Sequence, residues 1–261
     1  MPEQRGCVGC RDGEDLAFDF SMAFQPIVDV VNERVWGYES LIRGLNGEGA
    51  FTVLSQVDPD NRYRFDQRCR VKAIELASAI FPHGEDVKLS INFMPNAVYE
   101  PAACLRTSLA AAARTHFPRE HIMFEFTEGE KIDDVSHVER IVSEYKRQGF
   151  LTAIDDFGAG YAGLNLLAKF QPDLIKIDMD LVRGIEASPA KQVILAGVMW
   201  MARSLGITVL GEGVETQAEL LCLRAAGVRL VQGYYFAKPA FEALPPVSFQ
   251  VQAPREIARR A

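Results

Sequence analysis

Apolar and polar positions follow two rhythms along this chain. Residues 23–31 form an apolar run that reads as a strand. Asn32-Glu33-Arg34 is polar and turn-like, and residues 35–42 form a second run, so the two predict a hairpin. The spacing then lengthens. Over 64–80, Phe65, Val71, Ile74, Leu76 and Ile80 recur at helical intervals. From there short apolar runs alternate with helical stretches. Strands are predicted at 87–91, 122–126, 150–155, 174–177, 207–211 and 228–231. Helices are predicted at 101–114, 135–148, 163–170, 189–205 and 216–226. Strict alternation implies a parallel sheet with crossover helices. Eight strands with an antiparallel start predict an α/β fold, a TIM-like (β/α)8 barrel with an antiparallel first strand. An open doubly wound sheet is the alternative, but no strand leads into a dinucleotide-type glycine fingerprint.

The polar residues that interrupt these strands carry the chemistry. Asn92, Glu125, Asp155, Asp156, Glu212 and Gln232 fall at or near strand C-terminal ends, and Glu39 and Lys176 lie inside two more strands. In a barrel those ends converge on one face. One buried carboxylate has a structural explanation; several at one mouth form an oxygen-rich site suited to hard divalent cations. Two such cations sharing a bridging Asp are a recurring device for phosphoester hydrolysis. The adjacent pair Asp155-Asp156 would point to opposite sides of a strand, so the chain is expected to leave the strand there, helped by Gly158 and Gly160. Glu39 and Arg43 share a strand face, which also suits a plain ion pair.

Composition narrows the field. Apolar residues make up 48% of the 261 positions, enough for a sizeable core, and the net charge of −7 argues against a nucleic-acid polymer as partner. No run approaches the ~20 apolar residues of a membrane span, and no N-terminal run resembles a secretory signal. The five scattered cysteines suit a reducing, cytoplasmic setting. The expected organisation is a tail over 1–19 with the spacing Cys7-x-x-Cys10, a barrel domain over 20–245, and a second tail over 246–261.

The ordered motifs carry a resemblance. They are Phe24-Gln-Pro-Ile27, Glu39-Ser-Leu41 with Arg43, Ser90-Ile-Asn92, Glu125-Phe-Thr-Glu128, Asp155-Asp-Phe-Gly-Ala-Gly160, Lys176-Ile-Asp178, Gly211-Glu-Gly-Val-Glu-Thr216 and Gln232-Gly-Tyr-Tyr-Phe-Ala-Lys-Pro239. Together they resemble the EAL-domain cyclic di-GMP phosphodiesterases. The resemblance implies hydrolysis of cyclic di-GMP to linear pGpG by a water activated between two Mg2+ or Mn2+ ions. It implies Glu39, Asn92, Glu125, Asp155, Asp156 and Glu212 as metal ligands. Lys176 would contact the attacking water and a phosphate oxygen, and Gln232 would position that water. Arg43 would hold a substrate phosphate, with Gln25 and Leu41 beside the ligand. Glu128 would brace the loop after Asp156, and Glu215 would support the ligands from behind. The signature Glu-Ala-Leu reads Glu39-Ser40-Leu41 here, which adds one hydroxyl and leaves the ligand in place.

Two other functions fit the residues less well. A catalytically silent cyclic di-GMP receptor or interaction module would usually have lost ligands. A barrel aldolase using Lys176 as a Schiff-base nucleophile needs a lowered lysine pKa, which surrounding carboxylates oppose. Finally, the helix over 189–205 is apolar over too wide an arc. Ile194, Val198 and Met201 are expected to face the strands, leaving Val193, Leu195, Met199 and Trp200 to either side. That excess, with the loop 157–165, predicts a homodimer interface.

Overall fold

The structure is a computed structural model that describes residues 16–127, 134–158 and 163–249. Cys7, Cys10, Glu128 and positions 159–162 of the loop 157–165 lie outside the described residues. The hairpin is β1 (Ser21–Asp29) and β2 (Arg34–Arg43). There follow α1 (Ala50–Leu54), α2 (Arg62–Ile80), β3 (Lys88–Asn92), α3 (Pro101–Cys104), α4 (Arg106–Thr115), β4 (Ile122–Thr127) and α5 (Val135–Arg147). The second half holds β5 (Leu151–Phe157), α6 (Gly163–Lys169), β6 (Leu174–Ile177), α7 (Met179–Val182), α8 (Pro189–Leu205), β7 (Thr208–Gly211), α9 (Gln217–Ala226), β8 (Leu230–Val231) and β9 (Ala240–Phe241).

Strands β2 to β8 lie side by side in chain order, all parallel. β1 closes the barrel between β8 and β2, antiparallel to both. This is the TIM-like barrel with an antiparallel first strand. The unexpected β9 has a simple cause. β8 is two residues long and covers β1 at Val28 and Asp29, so β9 takes the same edge of β1 at Ala23 and Phe24. The helix expected over 101–114 is divided at Leu105 into α3 and α4. Caps set several boundaries. Ser188 accepts from Lys191 N–H at the start of α8, with Pro189 in the first turn, and Gly206 ends it in the left-handed region at φ 71°.

The core has two layers. The larger lies between the barrel and its helices, built from outward residues such as Phe24, Leu89, Ile91, Phe124, Phe126, Ile154 and Ile175. The smaller fills the barrel itself with Ile27, Met123, Ala153, Leu174, Leu210 and Leu230. This inner floor positions the site, because strand side chains repeat every two residues.

The orientation of α8 differs from expectation. Leu195, Met199 and Ala202 are buried toward the barrel, whereas Val193 is 72% exposed, Ile194 53% and Trp200 72%. The apolar arc is so wide that sequence spacing alone does not choose among adjacent stripes, and the buried stripe is rotated by one residue, ~100°.

Candidate active site

Two residues above each floor residue stands a polar one. Glu125 follows Met123, Asp155 follows Ala153, Lys176 follows Leu174, Glu212 follows Leu210, and Gln232 follows Leu230. On antiparallel β1, Gln25 precedes Ile27. The period of the strands thus turns one apolar layer into a charged layer immediately above it, at the C-terminal mouth. Glu39 and Asn92 join from β2 and β3.

Lys176 is the centre, 1% exposed. Its Nζ lies 2.8 Å from Glu212 Oε1, 3.1 Å from Asp155 Oδ1, 3.3 Å from Glu125 Oε1 and 3.6 Å from Glu39 Oε2. Asn92 Nδ2 donates to Glu39 Oε1 and Glu125 Oε1, both at 3.0 Å. Gln232 Nε2 donates to Glu39 Oε2 at 2.7 Å.

Asp155 and Asp156 reach the same site by a device the sequence did not reveal. β5 does not end at Asp155; it runs to Phe157, and its register with β6 shifts between Ile154 and Phe157. Within this bulge Asp156 adopts φ 52°, a left-handed conformation that costs a non-glycine residue energy. Its N–H donates back to Asp155 Oδ1 at 2.9 Å. The extra residue re-aims the second carboxylate toward the side the first already faces.

The electrostatics follow from counting charges. Burial would raise the Glu39 carboxyl, but Lys176 and the hydrogen bonds around it hold it below the usual carboxylate range. Glu125 and Glu212 go the other way: burial, with neighbouring carboxylates adding to it, pushes both well above that range. Asp156 is pushed up to about 6 by burial and by Asp155 and Asp178. Burial opposes the charge on Lys176, yet the four carboxylates keep the ammonium firmly protonated. One cation among five carboxylates leaves a surplus of negative charge in a shielded place.

That surplus fits divalent cations. Glu39, Glu125 and Asp155 each bring an oxygen within 4.8 Å of the others', and so do Asp155, Asp156 and Glu212. The two triads share Asp155. All donors are oxygens, as Mg2+ and Mn2+ prefer. Asn92 could join the first triad by turning its amide to present the carbonyl oxygen. Gln232 Oε1 is buried without a hydrogen-bond partner among the described residues, an acceptor held ready beside Glu39.

The remaining predicted residues stand apart from this cluster. Arg43 is half-buried; its Nη1 donates to Ile42 O at 2.7 Å, and among the described residues it makes no ion pair with Glu39. Gln25 is buried and donates to Ala237 O at 3.3 Å, and Leu41 is half-buried. Glu215 is exposed and pairs with Arg183 at 2.8 Å rather than with the mouth. Two supporting residues were given no role by the sequence reading. Ser90 Oγ donates to Glu125 Oε2 at 2.5 Å. Glu219 accepts from the N–H groups of Glu215, Thr216 and Gly184, pinning the chain that follows Glu212. The pattern Thr216-x-x-Glu219, a capping box, was its legible signal.

Comparison with known proteins agrees with this geometry. A family model described as EAL domain matches residues 16–239. The blue light- and temperature-regulated antirepressor BluF of Escherichia coli (strain K12) is 33% identical over 259 residues, 95% of this chain and 64% of that protein. The probable cyclic di-GMP phosphodiesterase PdeG of the same organism is 37% identical over 245 residues, 88% of this chain and 45% of PdeG. The chain therefore spans less than two thirds of these relatives. Among solved structures, the cyclic di-GMP-bound form of a standalone versatile EAL protein from Vibrio cholerae O395 is 56% identical. It superposes with a TM-score of 0.86 over 90% of this chain and 98% of that one. The manganese and cyclic di-GMP complex of Klebsiella pneumoniae BlrP1 at pH 6 is 36% identical, with a TM-score of 0.82 over 87% of this chain and 57% of that one.

Proposed function

The chain belongs to the EAL domain family, and from that membership and its carboxylate mouth we propose that it hydrolyses cyclic di-GMP to linear pGpG with divalent metal ions. The observation that carries this reading is the pair of carboxylate triads sharing Asp155 around one buried lysine. Glu39, Asn92, Glu125 and Asp155 would hold one Mg2+ or Mn2+, and Asp155, Asp156 and Glu212 a second. Bound there, the ions would supply Lewis acidity at the scissile phosphate and ease deprotonation of the attacking water.

The chain's own residues would do the rest. Attack of water on one phosphorus forms a P–O bond and breaks the bond to a ribose 3′ oxygen, which takes up a proton. Lys176 would donate to the phosphoryl oxygen as negative charge grows there, from a buried position where a fixed charge counts for more than in water. Gln232 is anchored on Glu39 through Nε2, so its free Oε1 would accept a hydrogen of the attacking water and orient it. Arg43 would hold the phosphate that does not react, with Gln25 and Leu41 along the approach. Glu128 would brace the loop after Asp156. Glu215 would act from a distance, through Arg183 and the loop at Gly184. A small cytoplasmic messenger suits a chain in which no described helix is long and apolar enough to cross a membrane.

The test is chromatography of products from purified protein incubated with cyclic di-GMP, with and without Mn2+ or Mg2+. Metal-dependent appearance of pGpG is the expected result. Folded, metal-saturated protein that binds the dinucleotide but leaves it uncut would replace this reading with a second one, a regulatory receptor. The likeness to an antirepressor, BluF, is what favours that alternative.

A homodimer through α8 and the loop 157–165 is part of the proposal. Val193, Ile194 and Trp200 expose a broad apolar face that a single barrel does not cover. Light scattering should give a dimer at micromolar concentration and a monomer for Trp200→Glu. A wild-type monomer with full turnover would sink the assembly.

A further inference from the structure

A second buried charge cluster lies outside the barrel wall, between β3 and β4 on one side and α2 and α5 on the other. Asp66 and Arg70, one turn apart on α2, are 3% and 0% exposed, and Arg70 Nη2 lies 2.7 Å from Asp66 Oδ2. Arg70 Nη1 donates to the Tyr145 hydroxyl on α5 at 2.6 Å. The guanidinium carbon sits 5.1 Å from the ring centroids of both Phe93 and Phe124 and 5.6 Å from that of Tyr145. Asp66 Oδ1 accepts the Met94 N–H at 2.9 Å.

A buried ion pair contributes little net stability, because desolvation offsets the attraction. This one is also incompletely satisfied, since Arg70 Nε has no hydrogen-bond partner among the described residues. Stability alone therefore does not account for it. What it touches does. Phe93 and Met94 directly follow Asn92, and Phe124 directly precedes Glu125. Neighbouring strand residues point to opposite faces. Holding Phe93 and Phe124 outward against the guanidinium therefore keeps Asn92 and Glu125 turned toward the mouth. The pairing is tight on the inner side too. Asn92 and Glu125 are register partners, Phe93 N–H donates to Glu125 O at 2.9 Å, and Asn92 Nδ2 donates to Glu125 Oε1 at 3.0 Å. β3 ends at Asn92. The Met94 N–H lies past the last ladder residue, and the Asp66 carboxylate supplies the acceptor that fixes the chain's course there.

We infer that Asp66, Arg70 and Tyr145 form a positioning network that sets Asn92 and Glu125 as a matched pair of cation ligands. The inference rests on the metal-dependent reading above and deepens it. None of the three touches substrate or metal; they act through the backbone on either side of the two ligands.

Two double variants separate positioning from charge. Asp66→Leu/Arg70→Met removes both charges and the acceptor for Met94 N–H. Asp66→Asn/Arg70→Met removes both charges but keeps an oxygen for that N–H. The readout is Mn2+ affinity without substrate, from the electron paramagnetic resonance signal of free Mn2+, on protein shown to be folded by circular dichroism. The Leu/Met pair should bind Mn2+ about 10-fold more weakly than wild type, the low end of losses seen when supporting partners of metal ligands are removed. The Asn/Met pair should lose about 3-fold, less than the Leu/Met pair, because the guanidinium is gone but the acceptor survives. Wild-type affinity in both pairs overturns the inference, and so does an equal loss in both. Wild-type protein that binds no Mn2+ removes the metal reading itself and the inference with it, an outcome distinct from the other two. Should the Leu/Met pair not fold, Tyr145→Phe tests the same network by deleting one hydroxyl. A 2- to 5-fold weaker Mn2+ affinity at unchanged melting temperature is then expected, on the order of a partial loss of such support. Unchanged affinity overturns the inference.

Discussion

The barrel mouth and the space behind β3 and β4 each bury a cation among acids and rings, yet the two are built on opposite principles. Behind the strands, one guanidinium faces one carboxylate, and three aromatic rings line the rest. Charge there is balanced within the chain. At the mouth, one ammonium faces four carboxylates between 2.8 and 3.6 Å, with Asp156 close by. Charge there is not balanced: burial pushes the Glu125 and Glu212 carboxyls up, and the neighbouring carboxylates add to it. A balanced pair calls for no ion from solvent, even though Arg70 Nε has no hydrogen-bond partner among the described residues. A surplus of buried carboxylates needs protons or cations from outside, and that need separates a site from a structural cluster.

The comparison breaks most visibly at a mouth carboxylate. Glu39 bonds Asn92 and Gln232 and belongs to the first triad. Glu39→Ala should abolish turnover, a loss of at least about 1000-fold, with the barrel intact by circular dichroism. Near-native turnover in steady-state assays would mean that the mouth is another structural cluster.

Next in size is a contrast in stability. Arg70→Met leaves Asp66 buried without its counter-charge and should cost about 3–5 kcal/mol in urea unfolding. Glu212→Gln removes one charge from the surplus, so metal-free protein should lose nothing and can gain up to about 1 kcal/mol. Equal destabilisation by both changes would erase the distinction between the two clusters.

Lys176→Ala sharpens the account of the mouth. On the proposed mechanism its charge would be needed most where negative charge builds on the phosphoryl group, so kcat should fall by about 100-fold while KM moves little. A large rise in KM at unchanged kcat would assign the lysine to ground-state binding instead.

Much of the mouth was legible in the chain because two simple periods overlap there. A polar residue closing an apolar run, strand after strand, places Asn92, Glu125, Asp155, Glu212 and Gln232 at one end of a barrel before any coordinates are known. The rest depended on packing that no local pattern encodes. Asp66 and Arg70 stand at i, i+4 on α2, a spacing that ordinary exposed ion pairs share, and only the helix's docking turns them inward. Ser90 is a small hydroxyl in an apolar strand, and its bond to Glu125 needs the neighbouring strand in register. The bulge at Asp156 shows as a shift of register against β6, which no local pattern announces. On α8 the apolar arc was too wide to say which stripe faces in, so Leu195 and Met199 were placed beside the buried stripe rather than in it. β9 is too short to carry a period at all.

The smallest effect is expected at a third acid, which lies between the two extremes. Asp29, fully buried at the end of β1, accepts the N–H groups of Val31 and Asn32 and the side chains of Asn32 and Arg229. Burial raises its carboxyl, but Arg229 and those hydrogen bonds outweigh it and bring the pKa down from 3.8 to about 2. Like Asp66 it has a counter-charge within the chain, but Arg229 is half exposed, so water screens part of the attraction. The folded value lies below the ordinary one. Its stabilisation is therefore complete above about pH 4 and fades as pH falls toward about 2. At pH 6, Asp29→Asn should lower unfolding free energy by about 1–2 kcal/mol, discounted for that exposure. The gap between variant and wild type should narrow steadily between pH 4 and pH 2 in urea titrations, as the wild-type carboxylate takes up its proton. A gap that stays constant over that range would show that shape rather than charge holds this corner, and that a buried acid with a half-exposed partner need not resemble the balanced pair behind the strands.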